Sequence, residues 1–351
     1  MKRILVTGGA GFIGSNFIIY MLKNHDDVEI VNLDALTYCG NLENLKEVEG
    51  DDRYTFVRGN INDVALIDRL FLRHRFDCIV NFAAETHVDR SILSPNIFVE
   101  TNVLGTAALL SEARKHWEKD GIYEPGVRFI QVSTDEVYGS LGSTGCFRET
   151  TPLDPHSPYS ASKASADLIV KSYSDTFGMP INITRCSNNY GPFQFPEKLI
   201  PLMIINCLKH KPLPVYGDGL QVRDWLYVGD HCKAIDMVIS DGVPGEVYNV
   251  GGNNEQTNID IVKRIIEYIA DVRDAAVTEA LISHVTDRKG HDRRYSIDAT
   301  KLRQGTGWFP GTSFDKGITY TIDWYLEHEE WVEKVISGEY GRYYEENYGK
   351  R

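Results

Sequence analysis

Asp135 and Glu136 stand side by side in Val132-Ser133-Thr134-Asp135-Glu136-Val137-Tyr138-Gly139, directly after an apolar run. Two adjacent carboxylates in a partly desolvated site disfavour double ionisation, so one holds a proton near neutrality while the other stays charged. Such a pair can set an acid and a base against one substrate. The plainer alternative is a solvated acidic turn. Sequence does not say which carboxylate keeps the proton, because the pair titrates as a unit. Consecutive strand residues point to opposite faces, so both can serve one ligand only if the chain bends here. Tyr138-Gly139 is the expected turn.

A second reactive pair follows Pro158: Tyr159 and Lys163. On a helix, residues i and i+4 share a face, which sets phenol and ammonium together. A free phenol, with a pKa of about 10, is a poor base at neutral pH. A neighbouring ammonium favours the phenolate and makes it usable. Tyr-x-x-x-Lys arises often by chance, so its weight depends on the scaffold around it.

That scaffold starts at the N-terminus. The strand predicted over Ile4–Thr7 runs into Gly8-Gly9-Ala10-Gly11-Phe12-Ile13-Gly14 and then a helix. Glycines there tighten the turn and let backbone approach a pyrophosphate, which the helix N-terminus attracts. Asp34 ends the second strand, where a carboxylate can accept the ribose hydroxyls of NAD and repel the extra phosphate of NADP. Strands are predicted at Ile4–Thr7, Val28–Leu33, Tyr54–Val57, Cys78–Phe82, Arg128–Ser133 and Ile181–Cys186. Helices are predicted at Phe12–Lys23, Val64–His74, Ile97–Lys115 and Ser157–Phe177. Strands apolar on both faces, alternating with helices, predict an α/β fold with a Rossmann-type doubly wound parallel sheet. Residues 1–190 are read as the cofactor domain and 191–351 as a smaller mixed α/β lobe for the substrate. A strand and helix at Trp225–Ser240, within 225–250, are expected to return to the main sheet. The tail from Tyr325 to Arg351 reads as a surface helix pair with solvated charge.

Bulk properties exclude several classes. A net charge of −13 on 351 residues argues against a nucleic-acid or anionic-membrane binder. No apolar run approaches the length of a membrane span, and Met1–Gly8 is too short for a signal peptide. Six scattered cysteines lack metal-ligand spacing and read as reduced core thiols of a cytoplasmic protein. No metal is expected. Asn182-Ile183-Thr184 matches a glycosylation triplet but falls in a predicted buried strand.

With these motifs in place, the chain resembles the extended short-chain dehydrogenase/reductases that act on nucleotide sugars. Leu33–Leu45, Ala83–Ile92, Ser133–Gly139, Ser187–Pro192, Val222–Trp225 and Asp287–Tyr295 make it most similar to the dTDP-glucose 4,6-dehydratases. The resemblance spans essentially the whole chain. It implies catalysis by Thr134, Asp135, Glu136, Tyr159 and Lys163, with Glu136 the base at carbon 5 and Asp135 the acid at carbon 6. It implies NAD held by Gly8, Gly11, Phe12, Ile13, Gly14, Asp34, Ala35, Leu36 and Thr37. Asn60, Ile61, Phe82, Ala83, Ala84, Glu85, Thr101, Asn189, Tyr159 and Lys163 complete that cofactor set. For dTDP-glucose it implies Thr86, Thr134, Asn188, Lys198, Leu199, Pro214, Val215, Tyr216, Arg223, Asn258, Asp287, Arg288, Lys289, Gly290 and His291. A homodimer through the helices at Ile97–Lys115 and Ser157–Phe177 is a family expectation. Ala35, Asn60 and Thr86 depart from the usual lysine, aspartate and serine, which leaves the contact at Asn60 the least secure. The rivals are a UDP-sugar 4-epimerase, another nucleotide-sugar dehydratase, and a non-catalytic NAD-sensing protein.

Overall fold

In the computed structural model, residues 2–287 and 291–336 are described. The main sheet has seven strands: β1 (Lys2–Thr7), β2 (Val28–Asp34), β3 (Tyr54–Arg58), β4 (Cys78–Asn81), β5 (Arg128–Thr134), β6 (Ile181–Cys186) and β10 (Val247–Val250). Their order is β10-β6-β5-β4-β1-β2-β3, every pairing parallel. Both faces are covered, as period-two side-chain alternation requires. Ile4, Val6, Ile130 and Val132 join one core cluster, with α1 (Phe12–Asn24) and α6 (Val228–Asp241). Leu5, Val31, Leu33 and Phe129 face a second cluster, under α2 (Val64–His74), α3 (Thr106–Trp117) and α4 (Pro158–Phe177). The chain starts mid-sheet at β1 and winds outward in both directions. A crevice therefore opens between β1 and β4 at the strands' carboxyl ends.

The remaining elements form small sheets, one of β7 (Asn188–Tyr190), β9 (Val222–Tyr227) and β11 (Glu255–Thr257), another of β8 (Leu213–Tyr216) and β12 (Ile282–Val285). Around them lie α5 (Leu199–Leu208), α7 (Asn258–Val272), α8 (Phe314–Glu327) and α9 (Glu329–Ile336), sharing a core with Met203, Trp225, Ile265 and Phe314.

Four expectations need correction. The strand that rejoins the main sheet is β10, beside β6; Trp225 lies in β9 of the three-stranded sheet, and only the helix after it packs against α1. The helix expected over Ile97–Lys115 is interrupted by a π-helical segment, Val99–Gly105. In the tail, Tyr325 and Trp331 are buried in the core of Met203, Trp225, Ile265 and Phe314, and the Trp331 indole N–H donates to Asn44 Oδ1 at 2.8 Å. Residues 337–351 of that tail lie outside the described residues. Finally, Cys146 is exposed and Cys39 partly so, while the other four cysteines are buried; all six are free thiols. Asn182 of the glycosylation triplet is fully buried in β6.

Candidate active site

The glycine loop joins β1 to α1 at the crevice. Gly8 has φ +69°, and a Cβ there would stand 2.6 Å from the Ala83 nitrogen. A Cβ on Gly14 would stand 2.5 Å from the Gly8 carbonyl oxygen. Both positions thus need glycine for close packing. Gly11 caps the N-terminus of α1 and lines the cavity, and a Cβ added to it meets only the Gly8 oxygen at 3.3 Å. Asp34 locks the loop to the end of β2. Its Oδ2 accepts from the Ala10 amide at 2.9 Å and its Oδ1 from the Leu36 amide at 2.7 Å. Burial raises the Asp34 carboxyl above its ordinary pKa, and these two amide bonds oppose the rise. Each carboxylate oxygen keeps capacity for a second donor.

β5 ends at Thr134, whose partner in the sheet is Cys186. The chain then enters a 3₁₀ turn, Asp135–Tyr138, capped by the Thr134 hydroxyl, which accepts the Glu136 amide at 3.3 Å. Thr134 itself is still extended, so the bend starts at Asp135, earlier than the expected Tyr138-Gly139, which ends it. Gly139, at φ +85°, closes it. Asp135 is sealed at 1% exposure, with a buried Oδ2 lacking a hydrogen-bond partner among the described residues. Burial first, then the charges of Glu136 and Asp224, push its pKa well above the carboxylate range. Glu136 is half-buried.

Tyr159 and Lys163 sit in the first turns of α4, whose start is fixed by Pro158 and a capping box between Ser157 and Ser160. Burial raises the Tyr159 phenol, as do Glu136 and Cys186, while a Thr134 hydrogen bond lowers it. Lys163 Nζ donates to the Val132 carbonyl at 2.8 Å, and burial lowers its pKa against the pull of Asp167.

Gly8, Gly11, Gly14, Asp34, Thr134, Asp135, Glu136, Tyr159 and Lys163 line one cavity of about 300 Å³. Of the expected cofactor residues, Gly8, Gly11, Phe12, Ile13, Gly14, Asp34, Ala35, Thr37, Asn60, Ile61, Phe82, Ala83, Ala84, Glu85, Thr101 and Asn189 line it. Leu36 does not; only its amide reaches Asp34. The Asn60 side chain spends its oxygen on the Asn62 amide at 2.9 Å. Thr86, Thr134, Asn188 and Lys198 line the cavity too, and the buried Asn188 Oδ1 lacks a hydrogen-bond partner among the described residues.

The other expected substrate residues lie outside that lining. Tyr216, Asp287 and His291 gather beside β8: His291 Nδ1 is 2.5 Å from Asp287 Oδ1, and its ring meets Tyr216 edge-on. Gln221 Nε2 donates to Asp287 at 3.0 Å, and the Gln221 backbone carbonyl accepts from the Asn258 backbone amide. Pro214 and Val215 form β8 with Tyr216, and Leu199 opens α5. Arg223 lies over the Tyr295 ring, 4.2 Å from its centroid. Arg288, Lys289 and Gly290 fall outside the described residues.

Several lining residues carried no sequence signal: Cys39, Gly40, Gly59, Cys186, Gln194 and Phe195. His231 was also missed. Its Nδ1 bonds Asn189 Oδ1 at 2.9 Å, and burial pulls its pKa down to about 3, so a neutral ring orients that amide. Three potential metal ligands, Asp68, Glu112 and His116, lie near one another away from the cavity lining, but Lys115 Nζ already bonds Asp68 at 2.6 Å and Glu112 at 3.1 Å.

A Rossmann-type sheet with a glycine loop, a Tyr/Lys pair and an acidic turn on one cavity defines a dehydrogenase/reductase scaffold carrying extra acid–base groups. Known proteins agree. The family model described as GDP-mannose 4,6 dehydratase matches residues 5–321. A dTDP-glucose 4,6-dehydratase of Xanthomonas campestris is 53% identical over 344 residues, 97% of each chain. The Bacillus anthracis dTDP-glucose 4,6-dehydratase, solved in complex with NAD, is 49% identical, with TM-score 0.86 over 95% of this chain and 100% of that one. DesIV, the Streptomyces venezuelae enzyme of the same name solved with NAD bound, is 45% identical, with TM-score 0.88 over 95% and 99%. The chain belongs to the dTDP-glucose 4,6-dehydratase family.

Proposed function

We propose that the chain dehydrates dTDP-glucose to the 4-keto-6-deoxy sugar, using bound NAD that is regenerated in each turnover. The observation that carries this reading is the shared cavity, where the turn of Asp135 and Glu136 meets Tyr159, Lys163 and the glycine loop. The loop's bare approach at Gly11 and the Asp34 carboxylate suit a dinucleotide pyrophosphate and ribose. NAD, when bound there, accepts a hydride from carbon 4 and returns it to carbon 6.

The protein's own groups move the protons. Tyr159 takes the carbon-4 hydroxyl proton, and Lys163, one turn further along the same helix, is the cation proposed to support its charge. The carbon-5 hydrogen then lies alpha to a ketone, and Glu136 removes it. Asp135, kept protonated by burial and its acidic neighbours, protonates the carbon-6 hydroxyl, which leaves as water. Protonation of carbon 5 by Glu136 restores that base, and the proton gained at Tyr159 balances the one lost from Asp135. The net change is loss of one water.

The part from 1 to 190, with β10, is read as the cofactor half. Residues 191–351 are read as the nucleotide-sugar part, where Tyr216, Arg223, Asn258, Asp287 and His291 hold the nucleotide. Exposed Leu93, Val99, Leu104 and Leu168, on or beside the helices named for pairing, support a homodimer, which sedimentation with Leu104→Glu and Leu168→Glu tests by loss of the dimer. Six free thiols support a cytoplasmic setting. Incubation with dTDP-glucose and mass analysis of the product decides the activity. A product lighter by one water is expected; unchanged mass means an epimerase and overturns the reading.

A further inference from the structure

Behind the cavity, the two reactive elements are joined by a buried chain of polar groups. Asp167 lies on α4, eight residues beyond Tyr159 and four beyond Lys163, so all three share a face. Arg185 on β6 donates through Nε to Asp167 Oδ2 at 2.8 Å and through Nη1 to the Tyr138 hydroxyl at 2.9 Å. Tyr138 ends the turn that holds Asp135 and Glu136. Its hydroxyl donates onward to Asn249 Oδ1 at 2.8 Å, on β10, directly opposite Arg185 in the sheet. The Tyr138 ring stacks on Phe147, whose carbonyl accepts from Asn249 Nδ2 at 3.2 Å, which closes the circuit. All four polar members are buried, from fully to 6% exposed.

A buried ion pair adds little net stability over well-packed apolar residues of the same volume, because desolvation offsets the attraction. Its value here is directional: bonds of fixed geometry span from one reactive element to the other. Burial works against the Arg185 charge, but Asp167 and Tyr138 outweigh it and hold the guanidinium protonated. Asp167 also opposes the burial penalty on Lys163.

We infer that Arg185 is a positioning residue that fixes the turn of Asp135 and Glu136 against the helix of Tyr159 and Lys163, through Tyr138 on one side and Asp167 on the other. Elimination depends on this register more than oxidation does, because Tyr159 and Lys163 keep their own helix and Glu136 does not. The inference rests on the dehydratase reading, so wild-type water loss is measured first; its absence overturns that reading, not this one.

The test is Tyr138→Phe, which keeps the ring on Phe147 and deletes one hydroxyl. In single turnover, loss of such a hydrogen bond is expected to slow elimination by up to about tenfold. Oxidation at carbon 4 stays within about twofold, a split that uniform loss of activity does not give. Reduced-nicotinamide absorbance therefore accumulates, and solvent deuterium enters carbon 5 more slowly. Arg185→Lys, which keeps the charge beside Asp167 but cannot span to Tyr138, is expected to give the same split. Melting temperature and NAD content are recorded for both, and if the lysine variant does not fold the phenylalanine variant decides alone. Equal slowing of both steps, or no change in either, overturns the inference.

Discussion

The Thr134 hydroxyl accepts the amide of Glu136 at 3.3 Å, so a group that also bonds the Tyr159 phenol anchors the residue assigned as carbon-5 base. Oxidation and elimination thus share a hinge atom. Their separability is what single substitutions can measure.

Glu136→Gln keeps the side chain's shape and its half-buried place but removes its basicity. NAD and sugar binding are expected to persist while elimination falls by about 10²- to 10⁴-fold, the usual worth of a positioned base. Product mass and deuterium exchange at carbon 5 check this; near-wild-type dehydration would remove Glu136 from the role.

Asp135 serves as an acid only while protonated. Burial, Glu136 and Asp224 raise its pKa well above the ordinary carboxylate value. Elimination in single turnover should therefore hold through mildly acidic pH and fall as pH rises through that raised value. Asp135→Asn should lose most of the rate and, with it, this alkaline limb; an unchanged limb in the variant would assign it to another group.

Gly8→Ala combines a left-handed backbone with a Cβ 2.6 Å from the Ala83 nitrogen. The expected cost is about 1–3 kcal/mol from backbone strain alone, with lowered NAD content, read by thermal melting and by cofactor extracted from purified protein.

Asp34→Asn replaces an acceptor that holds two amides by a group with only one oxygen. NAD affinity is expected to fall about 10- to 100-fold, from loss of charge-assisted hydrogen bonds, while discrimination against NADP narrows. Titration of both dinucleotides checks it, and unchanged preference counts against Asp34 as the selector.

His156 Nδ1 sits 2.7 Å from Asp292 Oδ1, and that contact raises its pKa despite some burial. A raised folded-state pKa stabilises fully below the unfolded value of about 6.5, and the gain fades as pH rises through the folded value. His156→Asn should therefore lower the melting temperature slightly at acidic pH and not at alkaline pH. The effect is small because the ring is 42% exposed.

Much of this was legible from residues alone. The glycine spacing, Asp34, and the Tyr159/Lys163 pair are local patterns whose chemistry depends on neighbours in sequence. β10 was not legible, because Val247–Val250 is too short to declare a strand until β6 offers its edge. Trp331 was read as surface since its flanking glutamates dominate the pattern, yet Asn44, 287 residues earlier, supplies its partner. Arg185 and Asp167 were invisible for the same reason: a buried charge looks like any other until its counter-charge is placed. The nucleotide-end residues were named through resemblance, and the cavity lining does not include them.

Pairing between β5 and β6 stops at Thr134, and the two carboxylates proposed to carry water loss begin at the next residue. Asp135 and Glu136 lie beyond the last paired residue of the strand, so their side chains can change without altering its register, while Tyr138 at the end of the turn stays tied to β6 and β10. On this architecture, a new reaction outcome lies within a few point mutations of an old one, and the sheet need not be reinvented for it to arise.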